Sequence, residues 1–325
     1  MLPSAYFRQV LAFFALLVGL PISAQGISPA AEGATPDAGR VPTTSDTSLL
    51  WRISGKEVDR PSYLFGTIHL IPSDDYFLEN FVVRAMNDVE DVYFEVDPRE
   101  MTNPANIMGM MNKINMRGDT TLRDLLTPAR FDSVETYFND LGMPFMFFQR
   151  MKPMFLSAMV GQDGGAGNPF MGGGESGTKS YEMELTRLAE AADKSISGLE
   201  TMDFQLALFD SIPYTIQAEM LYQSVVSDLA SDGEEGESQY AQMVAMYKRK
   251  AVAEMSAMIT TESEGYGDFE EMLVIRRNQN WVPNIVERLG GAPSFYAVGA
   301  GHLGGEQGVI ALLRAAGYTV EPVYD

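Results

Sequence analysis

"SFYAVGAGHLGGEQGVIALLRAAGYTVEPV", residues 294–323, passes from an apolar run through a glycine-rich turn into a helical pattern, and then into a second β-rich run. Strand, helix, strand in that order marks an α/β protein. The expectation is a central sheet flanked by helices, with a helical middle region. The apolar run ends in "YAVGAGHL", residues 296–303, and "YLFGTIHL", residues 63–70, ends in the same Gly-x-x-His. His69 and His302 are the only two histidines of the chain.

Working outward, "LLWRISG", a turn-like "GKEVDRPS" and "YLFGTIHL" read as a hairpin of two strands. "LENFVVRAMNDVE" has helical spacing, and "DVYFEVDP" is a strand closed by a proline. Alternation along that strand sets Tyr93, Glu95 and Asp97 on one face, opposite Val92, Phe94 and Val96, so a carboxylate pair sits at its end. From about 100 to 160 the pattern is helical, with Thr127 and Pro128 as cap and first position of a helix that stops at Gly142. The Gly-rich residues 161–180 read as a surface insertion and the acidic residues 231–239 as a solvated loop without EF-hand spacing. Between them come a helix, "YEMELTRLAEAADK", and a short strand, "SISGLE", ending in Glu200.

The N-terminus has its own logic. One positive charge, Arg8, precedes an apolar run from Val10 to Ile22 and a small residue, Ala24. That run is short for a spanning helix and suits a signal-peptide core, so residues 1–24 read as a signal peptide and the chain as exported, to the periplasm or beyond the cell. Residues 25–48 are rich in Pro, Gly, Ser and Thr and read as a disordered tether, which leaves 49–325 as a single domain. The chain has no cysteine, which excludes a disulfide framework and thiolate zinc sites. A formal charge of −21 argues against nucleic acid or an anionic membrane as partner. No stable membrane insertion is expected once the leader is cut.

At the level of sequence three readings of the two imidazoles stay open. They are ordinary half-buried rings, or ligands that with Glu95 hold a divalent metal, or members of a metal-free His–carboxylate pair acting as general base on water. Arg276 or Arg277 is placed to steady an oxyanion. H-E-x-x-H and G-x-S-x-G are both absent. "GAGHLG" spells G-x-G-x-x-G, with Glu321 on the following strand, which raises dinucleotide binding as a rival. Met108, Met110, Met111 and Met116 raise a copper(I) site.

The motifs "LWRISG…PSYLFGTIHL", "DVYFEVD", "LRDLL", "RMKP", "GLETMDFQ", "RRNQNW" and "FYAVGAGHLGGEQGVIALLRAAGYTVEPV" together resemble the TraB/GumN family, which is similar to the Tiki metalloproteases. The resemblance implies an α/β core like that of erythromycin esterases, with the first and last motifs side by side. It implies His69, Glu95 and His302 as the active-site core and metal ligands, Gly66 and Gly299 shaping its approach, and Arg277 with Asn278 supporting it. It also implies a divalent metal, manganese or cobalt rather than zinc, and hydrolysis of a peptide or another exported polymer. A non-catalytic accessory role in surface polysaccharide or signalling, or a metal-free esterase-like hydrolase, are the alternatives. Where relatives show Gly-Ile-Asp, this chain has Ser180-Tyr181-Glu182.

Overall fold

A computed structural model describes residues 41–55, 58–102, 109, 113–157, 159–160, 177–230, 239–263 and 269–324. The signal-peptide reading, most of the tether, most of the Gly-rich and acidic stretches, and Met108, Met110 and Met111 lie outside these residues. Residues 41–48 carry a turn in which the Asp46 carboxylate accepts from the Thr43 amide and hydroxyl. The Ser48 hydroxyl then ties this segment to the Val323 carbonyl 2.8 Å away.

The strands are β1 (Leu50–Ser54), β2 (Ser62–Thr67), β3 (Ile71–Pro72), β4 (Asp91–Phe94), β5 (Thr178–Lys179), β6 (Ser195–Gly198), β7 (Ser294–Gly299) and β8 (Thr319–Pro322). Six of them form one sheet in the order β6-β4-β7-β2-β1-β8. β1 and β2 pair antiparallel, Leu50 opposite Phe65, as a hairpin should. β2, β7, β4 and β6 are mutually parallel, so their carboxyl ends meet at one edge. β7 is buried along nearly its whole length, which explains its unbroken apolar run: a central parallel strand has no face left for water.

The helices are α1 (Asn80–Asn87), α2 (Leu122–Leu125), α3 (Pro128–Asp140), α4 (Pro153–Ser157), α5 (Tyr181–Ala191), α6 (Met202–Ser211), α7 (Tyr214–Ala230), α8 (Gln239–Lys248), α9 (Val252–Ser263), α10 (Arg276–Arg288) and α11 (Val309–Ala315). α3 starts where Thr127 and Pro128 place it, although the Thr127 side chain makes no cap bond. It ends before Gly142, whose φ of +75° suits glycine. Two apolar clusters result. One surrounds the sheet and holds Trp51, Phe65, Tyr181, Tyr247, Trp281 and Phe295. The other lies among α2, α3, α4, α6 and α7 and holds Phe131, Phe138, Phe145, Leu206 and Phe209.

Two expectations change. β4 stops at Phe94, so Glu95 and Asp97 leave strand alternation: Asp97 turns back to bond Arg99, and only Glu95 enters the cleft described below. The dinucleotide pattern fails on space. A Cβ at Gly301 would lie 2.2 Å from Ile259 Cδ1, and one at Gly304 2.7 Å from the Val252 carbonyl oxygen, so α9 already packs where a diphosphate would approach. Glu321 is spent on Arg52, 2.7 Å away, on an edge strand separated from β7 by β2 and β1.

Candidate active site

Each of the four parallel strands delivers one polar residue just past its carboxyl end: His69 after β2, Glu95 after β4, Glu200 after β6 and His302 after β7. In open α/β sheets that edge is where ligands bind. Here a cleft of about 1000 Å³, open mouth included, is lined by His69, Glu95, His302, Gln205 and Arg277 among others. Gly66 permits this convergence, because a Cβ there would come within 2.8 Å of Leu303 Cδ1 and 3.1 Å of Ala300 Cα. Gly299 keeps the cleft floor clear, since its Cβ would press on Glu95 Oε1 at 3.3 Å.

His69 is oriented by Glu182. Its Nδ1 lies 2.6 Å from Glu182 Oε1, which also accepts from the Thr67 hydroxyl at 3.0 Å, while Glu182 Oε2 accepts from Ser180. The two residues are 113 apart in sequence. They meet because β3, directly after His69, pairs with β5, directly before the start of α5, Ile71 opposite Lys179. Glu182 stands in the first turn of α5, where the helix dipole favours a carboxylate. Burial alone would lower the pKa of His69, but the charge and hydrogen bond of Glu182, with Glu95 behind, outweigh it and raise it to about 9.

His302 has the opposite setting. Its Nδ1 is 2.7 Å from Asn278 Oδ1, its Nε2 3.2 Å from Arg277 Nη1, and its ring packs on Trp281 with centroids 4.6 Å apart. Guanidinium can only donate, so Nε2 carries the lone pair and Nδ1 the proton. Burial and the Arg277 charge push its pKa down to about 3. Asn278 is fixed in turn by the Gln307 carbonyl, to which its amide donates at 2.8 Å.

Arg277 is the hub. It bonds Glu95 Oε2 through Nη2, Glu200 Oε1 through Nε at 2.9 Å, and the Leu273 carbonyl through Nη1 at 3.1 Å. A single π-helical turn, Glu271–Ile275, precedes it; such turns re-aim side chains and cluster at functional sites. Arg276, its neighbour, is exposed and paired only with Glu271. Glu95 also accepts from the Gly299 amide at 2.8 Å and from Gln205 at 3.2 Å. Burial would raise its pKa, yet Arg277 first, then both imidazoles and the Gly299 amide, hold it below the usual carboxylate range. Glu200, which also takes Gln205 and the Trp281 ring N–H, is pushed up, its burial outweighing Arg277.

The fit to a divalent ion follows from this donor set. Both imidazoles have Nδ1 committed to an oxygen, the arrangement that leaves Nε2 for a metal, and Glu95 adds a carboxylate. In kind these are ligands for a hard or borderline ion. As the side chains stand, no three His, Asp or Glu among the described residues converge on one point, because the Arg277 guanidinium spans Glu95 and His302 Nε2. An ion held by Glu95 and His302 Nε2 would therefore have to displace Arg277 from both.

All seven residues singled out from sequence, His69, Glu95, His302, Arg277, Asn278, Gly66 and Gly299, meet at this edge. Sequence reasoning missed Glu182, Gln205 and Trp281, and read Glu200 only as a strand end. Glu182 stands in the Ser180-Tyr181-Glu182 stretch already noted, but nothing in its local pattern ties it to His69, 113 residues away.

Fold and site together define an α/β protein with a paired-histidine, carboxylate-rich cleft at the carboxyl edge of a parallel sheet. The chain belongs to the TraB/PrgY/gumN family, which it matches over residues 49–322. It is similar to "Metalloprotease TIKI1" of Danio rerio, 23% identical over 328 residues that cover 86% of this chain and 64% of that relative. The chain thus spans less than two thirds of that relative's length. No solved structure matches it at a significant level. Among the described residues no helix is long and apolar enough to cross a membrane.

Proposed function

We propose that the chain is an exported, divalent-metal-dependent hydrolase of the peptidase kind, with His69, Glu95 and His302 as the metal-binding set. The observation that carries this reading is that the chain's only two imidazoles, on neighbouring strands, face one cleft with Nδ1 of each held by an oxygen. The relative named a metalloprotease supports it.

An ion held there would supply Lewis-acid polarisation of a carbonyl oxygen at neutral pH. The rest falls to the chain's own groups. Glu182 keeps a proton on His69 Nδ1 and fixes the ring plane; Asn278 does the same for His302. Arg277, anchored by Glu200, would offer a preorganised cation to charge developing on a substrate oxygen. Manganese and cobalt suit the nitrogen and oxygen set.

Calorimetric titration of manganese, cobalt and zinc into metal-stripped protein tests this. Wild type is expected to bind, with His69→Ala, Glu95→Ala and His302→Ala each losing on the order of 100-fold or more in affinity. A wild type that binds none of the three overturns the metal reading.

A second reading then keeps the same residues and dispenses with the metal. The two imidazoles are driven apart, His69 to about 9 and His302 to about 3, and such splitting separates acid from acceptor. His69 would act as the proton donor to the leaving group, and Arg277 as the fixed cation. That is a metal-free hydrolase on the same residues.

A further inference from the structure

The polar edge of the sheet makes only one side of the cleft. The other is built by α8, α9 and the turn entering α10, and its surface is Met243, Met246, Met255, Met258, Phe269 and Leu273. The methionines recur at three-residue spacing on two helices, so each helix turns two thioethers to the same space. Glu270, also at the cleft, has a carboxylate oxygen engaged by the Thr260 hydroxyl at 2.6 Å.

Such a wall discriminates between chemical classes. A saccharide carries hydroxyls round the rim of its ring, and any of them pressed against thioether and aliphatic carbon loses its hydrogen bonds to water without replacement. A large apolar side chain loses nothing there. Methionine adds tolerance, because its unbranched, polarisable chain reshapes around varied apolar partners.

We propose that this wall receives the large apolar side chain, of leucine, methionine or phenylalanine size, of a peptide whose backbone lies along the histidine edge. A polysaccharide is not the ligand on this proposal. Cleavage of that peptide rests on the hydrolase reading; its recognition does not.

The test is calorimetric binding of blocked Gly-Gly-X-Gly-Gly peptides, with X as Leu, Met, Phe, Ser or Asp, and of maltopentaose, to the full chain. The three apolar peptides are expected to bind at least about tenfold more tightly than the Ser and Asp peptides. Met243 and Met258 are only partly buried, so Met243→Glu and Met258→Glu should keep native circular dichroism and lose the preference, while Met258→Leu keeps it. Equal affinity for all five peptides, no peptide binding by folded wild type, or maltopentaose binding that the Glu variants abolish each overturns the proposal. Incubation of the same peptides separates the two ideas. Apolar peptides that bind but stay intact defeat the hydrolase reading alone, whereas Ser and Asp peptides cut as fast as Leu defeat this one alone.

Discussion

At the scale of the residue, two side chains of one type share a cleft and are pushed in opposite directions, His69 up by Glu182 and His302 down by burial and the Arg277 charge. Glu182 is the neighbour of His69, and removing its charge should reverse the balance: in Glu182→Gln, burial and the Arg277 charge prevail and the His69 pKa falls well below about 9. With only two histidines in the chain, proton NMR of the imidazoles reads this directly. Wild type is expected to show one ring titrating near 9 and one that stays neutral down to about 3. The sign for stability follows. His69 has a folded pKa above its ordinary 6.5, so its contribution is complete below about 6.5 and is lost as pH rises through about 9. Urea midpoints should therefore decline over that window in wild type and flatten in Glu182→Gln. Two rings titrating together near 6.5 would defeat the assignment.

At the scale of the element, the close approach of β2 to the loop after β7 rests on Gly66. Gly66→Ala should cost about 1–3 kcal/mol, because the nearest obstacle includes the Ala300 backbone as well as the movable Leu303 tip. It should also displace His69 from Glu182, read as a drop in its NMR pKa; unchanged stability and titration would show that the loop shifts freely. Legibility followed element size. The β2 and β7 runs, long and apolar, announced themselves, and with them both histidines. β3 and β5 are two residues each, too short for any periodicity, so the clip that joins His69 to Glu182 left no pattern to read. The end of β4 at Phe94 is equally silent. Alternation predicted a carboxylate pair, but the chain bends to satisfy Arg99 with Asp97, a tertiary choice that overrides the strand's period. The π-helical turn likewise cannot be read from "FEEMLVIRRNQNW", whereas Arg277 falls on the inward face with Trp281 and Ile285 by ordinary helical spacing.

At the scale of the whole molecule, a buried ion group lies between the sheet cluster and a helix of the helical cluster. Arg277 on α10 reaches Glu95 beyond β4 and Glu200 beyond β6, and Gln205 on α6 bonds both carboxylates. Side-chain exposure is 9% for Arg277, 8% for Glu95 and 7% for Glu200. At that depth removing the cation strands two carboxylates, a loss on the order of 3–5 kcal/mol. Arg277→Met keeps the packing volume and removes the charge, so it should lose about that much at neutral pH. The deficit should shrink in acid: the lowered pKa of Glu95 means that its pairing with Arg277 stabilises the fold above the ordinary carboxylate pKa and ceases to do so as pH falls through the folded value. Both tryptophans, Trp51 and Trp281, lie in the sheet cluster, which makes fluorescence a reporter of that half, while far-UV circular dichroism is weighted toward helices. In wild type the two urea transitions should coincide, since the ion group ties one cluster to the other. In Arg277→Met they should separate, because Glu95 and Glu200, repelling each other without their cation, no longer hold Gln205 of α6 between them. Coincident transitions in the variant would show that apolar contact alone couples the two halves, and that Arg277 is kept for chemistry rather than for cohesion.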